Sequence, residues 1–173
     1  MPDYMGFIFW ENSKRFVSNS TPDIGETVKK VGVFVNARLD YIQKCIEAHK
    51  LNAVQLHGNE SPEQCGELGE IDVEVIKAFT VQKKFDFSRI LVYESVCDYF
   101  LFDTKGELPG GNGLHFNWNL LKDYPSTKPF FLSGGIGPND CVAIASIIKL
   151  NLPLYAIDAV SYTHLTLPTT PYV

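Results

Sequence analysis

The sequence lacks the features that mark several large classes of protein. No apolar stretch approaches the roughly 20 residues that cross a bilayer as a helix. The first residues show no basic segment followed by a long apolar run, so neither a membrane span nor a secretory leader is expected. Basic residues are outnumbered, 15 to 20, for a net charge of −5, and they form no cluster, which leaves a nucleic-acid partner without an electrostatic footprint. The four cysteines (Cys45, Cys65, Cys97 and Cys141) are too far apart for a Cys-x-x-Cys zinc or thioredoxin-like motif. They are expected to be reduced, partly buried thiols of a cytoplasmic protein. No Gly-x-Gly-x-x-Gly run follows the first apolar segment, which counts against dinucleotide binding.

What is present is a repeating pattern. The 173 residues suit one domain, and 45% of them are hydrophobic, enough for a buried core. Short apolar runs alternate with longer amphipathic ones. Strands are expected at Tyr4–Phe9, Val31–Val35, Ala53–His57, Val73–Phe79, Tyr99–Asp103, Pro129–Ser133 and Leu154–Asp158. Helices are expected at Thr21–Lys30, with Thr21 as cap and Pro22 in the first turn, and at Leu39–His49. Further helices should follow Ser61-Pro62 and occupy Phe85–Glu94 (the weakest pattern), Asn117–Tyr124 and Pro138–Leu150. Such alternation predicts a parallel sheet with helical crossovers, either doubly wound or closed as a barrel. In both cases ligands bind beyond the carboxyl ends of the strands.

Polar and glycine residues gather at those ends. Asp103 closes a strand of apolar and aromatic residues. Desolvation there should raise its pKa, as a general acid near neutral pH requires, although a strand-end aspartate can also simply cap a loop. Gly110 and Gly111 lie in the run Leu108–Gly113, which can approach a ligand with its backbone or merely connect strand to helix. Ser133-Gly134-Gly135-Ile136-Gly137 leads from a strand into a helix. Its amides suit an anion such as phosphate, against the alternative of a tight turn needing positive φ. His57, followed by Gly58, can serve a pocket or brace a loop. Arg15 can clamp a carboxylate or remain a solvated loop charge. Lys77, inside a strand, needs a partner if buried.

Taken together in order, these segments resemble one family. Asp3–Phe9 with Ser13-Lys14-Arg15-Phe16-Val17, Val31–Asn36, Ala53–Pro62, Phe102-Asp103 with Leu108–Gly113 and Phe116-Asn117-Trp118, and Leu132–Asn139 look like strands two, three, four, six and seven of the phosphoribosylanthranilate isomerases. The resemblance implies a (β/α)₈ TIM barrel in the α/β class, with no metal and no organic cofactor. It implies an Amadori rearrangement of a small phosphorylated substrate in tryptophan biosynthesis. Asp103 would be the general acid and Arg15 would bind the anthranilate carboxylate. The phosphate would lie near Gly134 and Gly135, and His57 would line the pocket. Other phosphate-binding barrels fit less well. A pentose-phosphate epimerase needs metal-binding His/Asp pairs, and an indole-glycerol-phosphate synthase needs more catalytic lysines than Lys77 alone. A fragment that binds ligand without turnover is the remaining alternative.

Two departures from the family pattern shape the expectations. The Lys-x-Cys-Gly run that carries the family's general base is absent, and none of the four cysteines follows a strand. After Asp158 the chain reads Ala159-Val160-Ser161-Tyr162-Thr163-His164-Leu165, which is unlike the family and resembles translated adapter or vector sequence. An incomplete barrel is therefore expected over residues 1–160, and a non-native or disordered tail over 161–173. A barrel without its first strand exposes two apolar edges. The polypeptide as written should thus be poorly soluble or inactive on expression. Size-exclusion chromatography combined with an isomerase assay checks this, and a soluble monomer with normal turnover is the contrary result.

Overall fold

A computed structural model describes residues 2–104 and 117–159. It contains two compact units, Met1–Phe79 with Asp86–Leu101 and Thr80–Phe85 with Phe102–Val173. Leu108–Gly113, expected as a loop and carrying Gly110 and Gly111, lies outside the described residues, as does the tail beyond residue 159.

The first unit is built on strands β1 (Tyr4–Ile8), β2 (Lys29–Phe34), β3 (Ala53–Leu56) and the start of β4 (Glu74–Val81). They are parallel and follow chain order, with Gly6 beside Val31, Val31 beside Ala53 and Ala53 beside Glu74. The beginning of β5 (Tyr99–Thr104) joins β4, because the Asp98 amide donates to Val75 O at 2.9 Å. Neighbours in chain order are what successive βα units of a barrel produce, whereas a doubly wound sheet reverses its order near the middle. Helix α1 (Leu39–His49) has the predicted bounds and buries Ile42 and Cys45. Its carboxyl end closes on Lys50, whose φ of 52° puts a non-glycine residue in the left-handed region. Helix α2 (Pro62–Gly69) follows Ser61 as expected and starts with a side-chain cap. Ser61 Oγ accepts from the Gln64 amide, and Gln64 Oε1 accepts from the Ser61 amide at 3.0 Å. Phe34, Val54, Leu56, Leu68, Ile76, Ile90 and Phe100 are enclosed at the centre of this unit.

The second unit holds the end of β5, then β6 (Phe130–Leu132), α3 (Cys141–Ile148) and β7 (Leu154–Ile157). Strand β7 runs parallel to β6, with a bulge between Phe130 and Phe131. Phe102, Tyr124 and Phe130 meet with ring centroids 5.1–5.7 Å apart in edge-to-face arrangements, an aromatic core around the end of β5. Val142 and Ile148 on α3, with Tyr155 and Ile157 on β7, remain exposed.

Several expectations need correction. Residues 21–28 form no helix. Gly25 turns at φ +79°, and its amide donates to Asp23 Oδ1. The Thr21 hydroxyl accepts from Lys30 Nζ instead of capping. A Thr-Pro start is no helix signal when a glycine-aspartate turn follows three residues later. Strand β1 forms but is not buried along its length, since Met5 and Gly6 are exposed and Phe7 and Phe9 supply its core contacts. The segments Phe87–Tyr93 and Trp118–Asp123 are 3₁₀ turns. Asp86 and Asn117 cap them from side chains that accept the amide two residues on, a local bond that favours tight turns over α-helix. The helix expected over Pro138–Leu150 opens as a 3₁₀ turn at Pro138–Asp140 and is α-helical only over Cys141–Ile148.

Replacing Ser61 with alanine removes one half of the reciprocal cap on α2. The expected loss is about 1 kcal/mol of stability, read as a lower urea midpoint with an unchanged denaturant slope.

Candidate functional site

In the second unit, the polar residues at the strand ends come together as the sequence suggests. The Ser133 amide donates to Phe102 O at 2.8 Å. This bond sets the last turn of β6 beside the end of β5, so Asp103 and Gly134 leave adjacent strands at the same carboxyl end. Asp103 is half-buried above the fully enclosed Phe102. Gly134 and Gly135 both have positive φ, 99° and 69°. At Gly134 the requirement is double, because a Cβ there would sit 2.6 Å from the Thr104 backbone nitrogen and closer still to its hydroxyl. The glycine thus permits contact between the residue following Asp103 and the loop expected to hold an anion.

Two further bonds tie this end together. Ser133 Oγ donates to Asp158 Oδ2 at 3.0 Å, and the Asp158 amide donates to Leu132 O at 2.8 Å. Carboxylates therefore stand at the ends of β5 and β7 with Ser133 between them in strand order. Asp140 Oδ2 accepts from the Gly137 amide at 2.7 Å. That amide already serves a carboxylate and the Ser133 amide serves Phe102 O, so an anion at this loop depends on the Gly134–Ile136 part of the run.

In the first unit, Arg15 and His57 follow β1 and β3, which are parallel, and so lie at one end of their sheet. Arg15 is exposed in the turn after β1, where its amide donates to Ser13 Oγ. His57 is half-buried. Its amide donates to Phe34 O, and its Nδ1 lies 2.7 Å from Gln55 Nε2. That contact fixes the ring over the buried Gln55.

The loop after His57 is built on an ion pair whose acidic half sequence reasoning missed. Lys77 and Glu60 are each about 2% exposed and meet at 3.0 Å between Nζ and Oε2. Lys77 Nζ also donates to Leu56 O, Gly58 O and Ala78 O at 2.9–3.2 Å. Glu60 Oε1 accepts from the Asn36 amide at 2.8 Å, and Oε2 accepts from Gly58 at 2.9 Å. Asn36, at φ +51°, accepts the Asn59 amide on its side chain at 2.7 Å. A Cβ at Gly58 would fall 2.5 Å from Asn36 Oδ1, so the two loops touch at a point only glycine allows. Tyr93 donates its hydroxyl to Glu60 O at 3.0 Å. Burial first, then the nearby Cys65, Cys97 and Glu60, push the Tyr93 phenol above its ordinary pKa, which keeps it a donor. The lysine's charge is spent inside the protein. The signal available in sequence was the rule that a strand lysine buried on both sides needs an acid within reach. Glu60, the first acid after the β3 turn, was the nearest candidate.

Among the described residues, no group of three or more His, Cys, Asp or Glu is placed to hold a metal ion, and no helix is long and apolar enough to cross a membrane.

Comparison with known proteins is consistent across three kinds of likeness. The sequence profile of the PRAI family, N-(5′-phosphoribosyl)anthranilate (PRA) isomerase, matches residues 1–158. The N-(5′-phosphoribosyl)anthranilate isomerase of Parabacteroides distasonis is 45% identical over 148 residues, 82% of this chain and 67% of the relative. That of Phocaeicola vulgatus is 44% identical over 136 residues, 79% of this chain and 66% of the relative. The chain therefore spans about two-thirds of the length of these relatives. The crystal structure of the phosphoribosylanthranilate isomerase from Thermotoga maritima superposes with a TM-score of 0.75 at 34% identity, covering 90% of this chain and 76% of that one. A second, at TM-score 0.69 and 32% identity, covers 91% of this chain and 75% of that one. It is an isomerase in complex with reduced 1-(o-carboxyphenylamino)-1-deoxyribulose 5-phosphate. These likenesses establish the fold as that of the TIM-barrel isomerases, with seven strands among the described residues.

The buried pair makes an energetic forecast. Glu60→Ala strands the Lys77 ammonium in the interior, and the expected cost is about 3–5 kcal/mol in urea unfolding. The double replacement Glu60→Leu with Lys77→Met removes both charges and should cost clearly less than the single one.

Proposed function

Because the chain belongs to the N-(5′-phosphoribosyl)anthranilate isomerase family, we propose that it supplies the acid and phosphate-binding parts of that enzyme's reaction. The reaction is the Amadori rearrangement of N-(5′-phosphoribosyl)anthranilate to 1-(2-carboxyphenylamino)-1-deoxyribulose 5-phosphate, placed in the cytoplasm. The observation that carries the proposal is the juxtaposition at the end of the second unit. Asp103 and Gly134 leave neighbouring strands, locked by the Ser133–Phe102 backbone bond and the close approach of Thr104 to Gly134.

The chemistry needs two proton transfers. A carboxylic acid protonates the ribose ring oxygen, the C1′–O bond breaks, and the anilino nitrogen's lone pair forms the Schiff base. Asp103 is the acid in this reading. It is half-buried at the end of a strand whose preceding residues are buried. A base then takes the C2′ proton, and the enolamine relaxes to the ketone. The family's base belongs to a Lys-x-Cys-Gly run that this sequence does not contain. The substrate phosphate is assigned to the amides around Gly134 and Gly135, where the left-handed turns present backbone N–H groups without side chains. Arg15 is assigned the anthranilate carboxylate and His57 the pocket wall, both on the family resemblance. Gly110 and Gly111 are assigned a backbone approach to the ligand on the same ground.

Fluorescence assays of anthranilate-substrate consumption test this reading, run with the full chain alone and with an added β-strand peptide ending in Lys-x-Cys-Gly. Turnover should appear only with the peptide, and Asp103→Asn should lower it by about 10²–10⁴-fold. Turnover that survives Asp103→Asn unchanged refutes the assignment. Ligand binding without turnover in the presence of the peptide favours a non-catalytic binder.

A further inference from the structure

The second unit carries a pair at its strand ends that the two proton transfers above do not use. Between parallel strands, an amide bonded to a neighbour's carbonyl lies level with the residue after that carbonyl. The Ser133 amide meets Phe102 O and the Asp158 amide meets Leu132 O, so Asp103, Ser133 and Asp158 form one row across β5, β6 and β7. Residues level with one another on adjacent strands point to the same face. The 3.0 Å bond from Ser133 Oγ to Asp158 Oδ2 bears this out for two of the three. The two carboxylates are therefore two strand spacings apart at the backbone, about 10 Å, which is the scale of one pentose phosphate.

Ser133 and Asp158 differ in what they can offer a ligand. Ser133 is 6% exposed and both of its donors are engaged, the amide on Phe102 O and the hydroxyl on Asp158. It gives no proton to an anion bound on the Gly134–Ile136 amides. Asp158 is half-buried and reachable from solvent. An ionised carboxylate is acceptor-only, with about four lone-pair positions, and Ser133 takes one of them. From a ligand such a group takes a hydroxyl proton and repels an anion. The row thus sets an acid and a hydroxyl acceptor on either side of a buried serine, and the anion-binding amides continue from that serine.

We propose that Ser133 is a positioning residue acting through Asp158. Its hydroxyl holds the Asp158 carboxylate so that it accepts a hydroxyl of the same sugar whose ring oxygen Asp103 protonates. This rests on the assignment of Asp103 and the Gly134 loop made above. A carboxylate already held by a buried donor meets the sugar without first losing rotational freedom, which is how a supporting side chain sharpens a contact it does not make itself. Inorganic phosphate lacks the sugar and gains nothing from the pair. The contribution of Ser133 and Asp158 therefore lies in the preference for a sugar phosphate over phosphate alone.

The test measures binding of ribose 5-phosphate and of inorganic phosphate to the full chain by isothermal titration calorimetry. The unmodified chain should bind ribose 5-phosphate at least about 10-fold more tightly than phosphate. Asp158→Ala should remove most of that preference, and Ser133→Ala should reduce it several-fold with phosphate affinity unchanged. The double variant should show no smaller preference than Asp158→Ala alone, because the serine acts through the carboxylate. A serine that only ties β6 to β7 gives another pattern. Ser133→Ala then lowers the melting temperature and leaves the preference intact, or weakens both ligands alike, or adds its loss to that of Asp158→Ala; each of these overturns the proposal. Should Ser133→Ala not fold, Ser133→Thr keeps the donor and must keep the preference, while Asp158→Ala still decides whether the carboxylate meets the sugar. An unmodified chain that binds neither ligand overturns the site assignment and this inference together. One that prefers ribose 5-phosphate and is indifferent to Asp158→Ala overturns the inference alone.

Discussion

The Glu60–Lys77 pair is the constraint around which the first unit is organised. An ammonium and a carboxylate removed from water each carry a desolvation cost of several kcal/mol. Here almost every lone pair and proton is answered: three backbone carbonyls on the lysine, two backbone amides on the glutamate, and one direct contact between them. The partners come from β3, the loop after it, β4 and the loop after β2. The pair therefore acts less as a source of stability than as a fixed point. The His57–Glu60 loop has one arrangement because only that arrangement leaves no buried charge unmatched.

The second unit reaches the same end by other means. There the strand ends are registered by the Ser133–Phe102 bond, by Ser133 on Asp158, and by a glycine that lets β5 and the β6 loop touch. Its core is aromatic, with Phe102, Tyr124 and Phe130 in mutual edge-to-face contact. One unit positions its strand-end residues by charge and the other by backbone geometry and ring packing.

How much of this was legible in the sequence follows from what each signal encodes. The seven strands among the described residues were readable as short apolar runs, near-continuous because the inner ones are covered on both faces. Helix α1 was readable to its ends because its apolar positions keep a helical period, and the start of α2 because Ser61 can cap and Pro62 suits a first turn. The false helix at residues 21–30 came from trusting a Thr-Pro start while a glycine three residues on turned the chain. The 3₁₀ turns at Phe87 and Trp118 were read as helices because capping side chains look alike before either kind. The strand-end positions of Asp103 and Gly134 were legible from the apolar runs that precede them. Lys77 was noticed but not understood, because its meaning lies in a through-space partner 17 residues earlier, which periodicity cannot reveal.

The left-handed Asn36 has a consequence for how such a molecule can change. Its amide serves the glutamate of one loop, its side chain serves that loop's Asn59, and its backbone leaves room only for Gly58. Barrel loops are commonly treated as interchangeable modules, each free to be lengthened or recruited to new chemistry while the scaffold stays put. Here the connections after β2 and β3 are one mechanical part. A graft or insertion in either must bring the other with it, so evolutionary novelty at this rim has to come from loops that share no such knot.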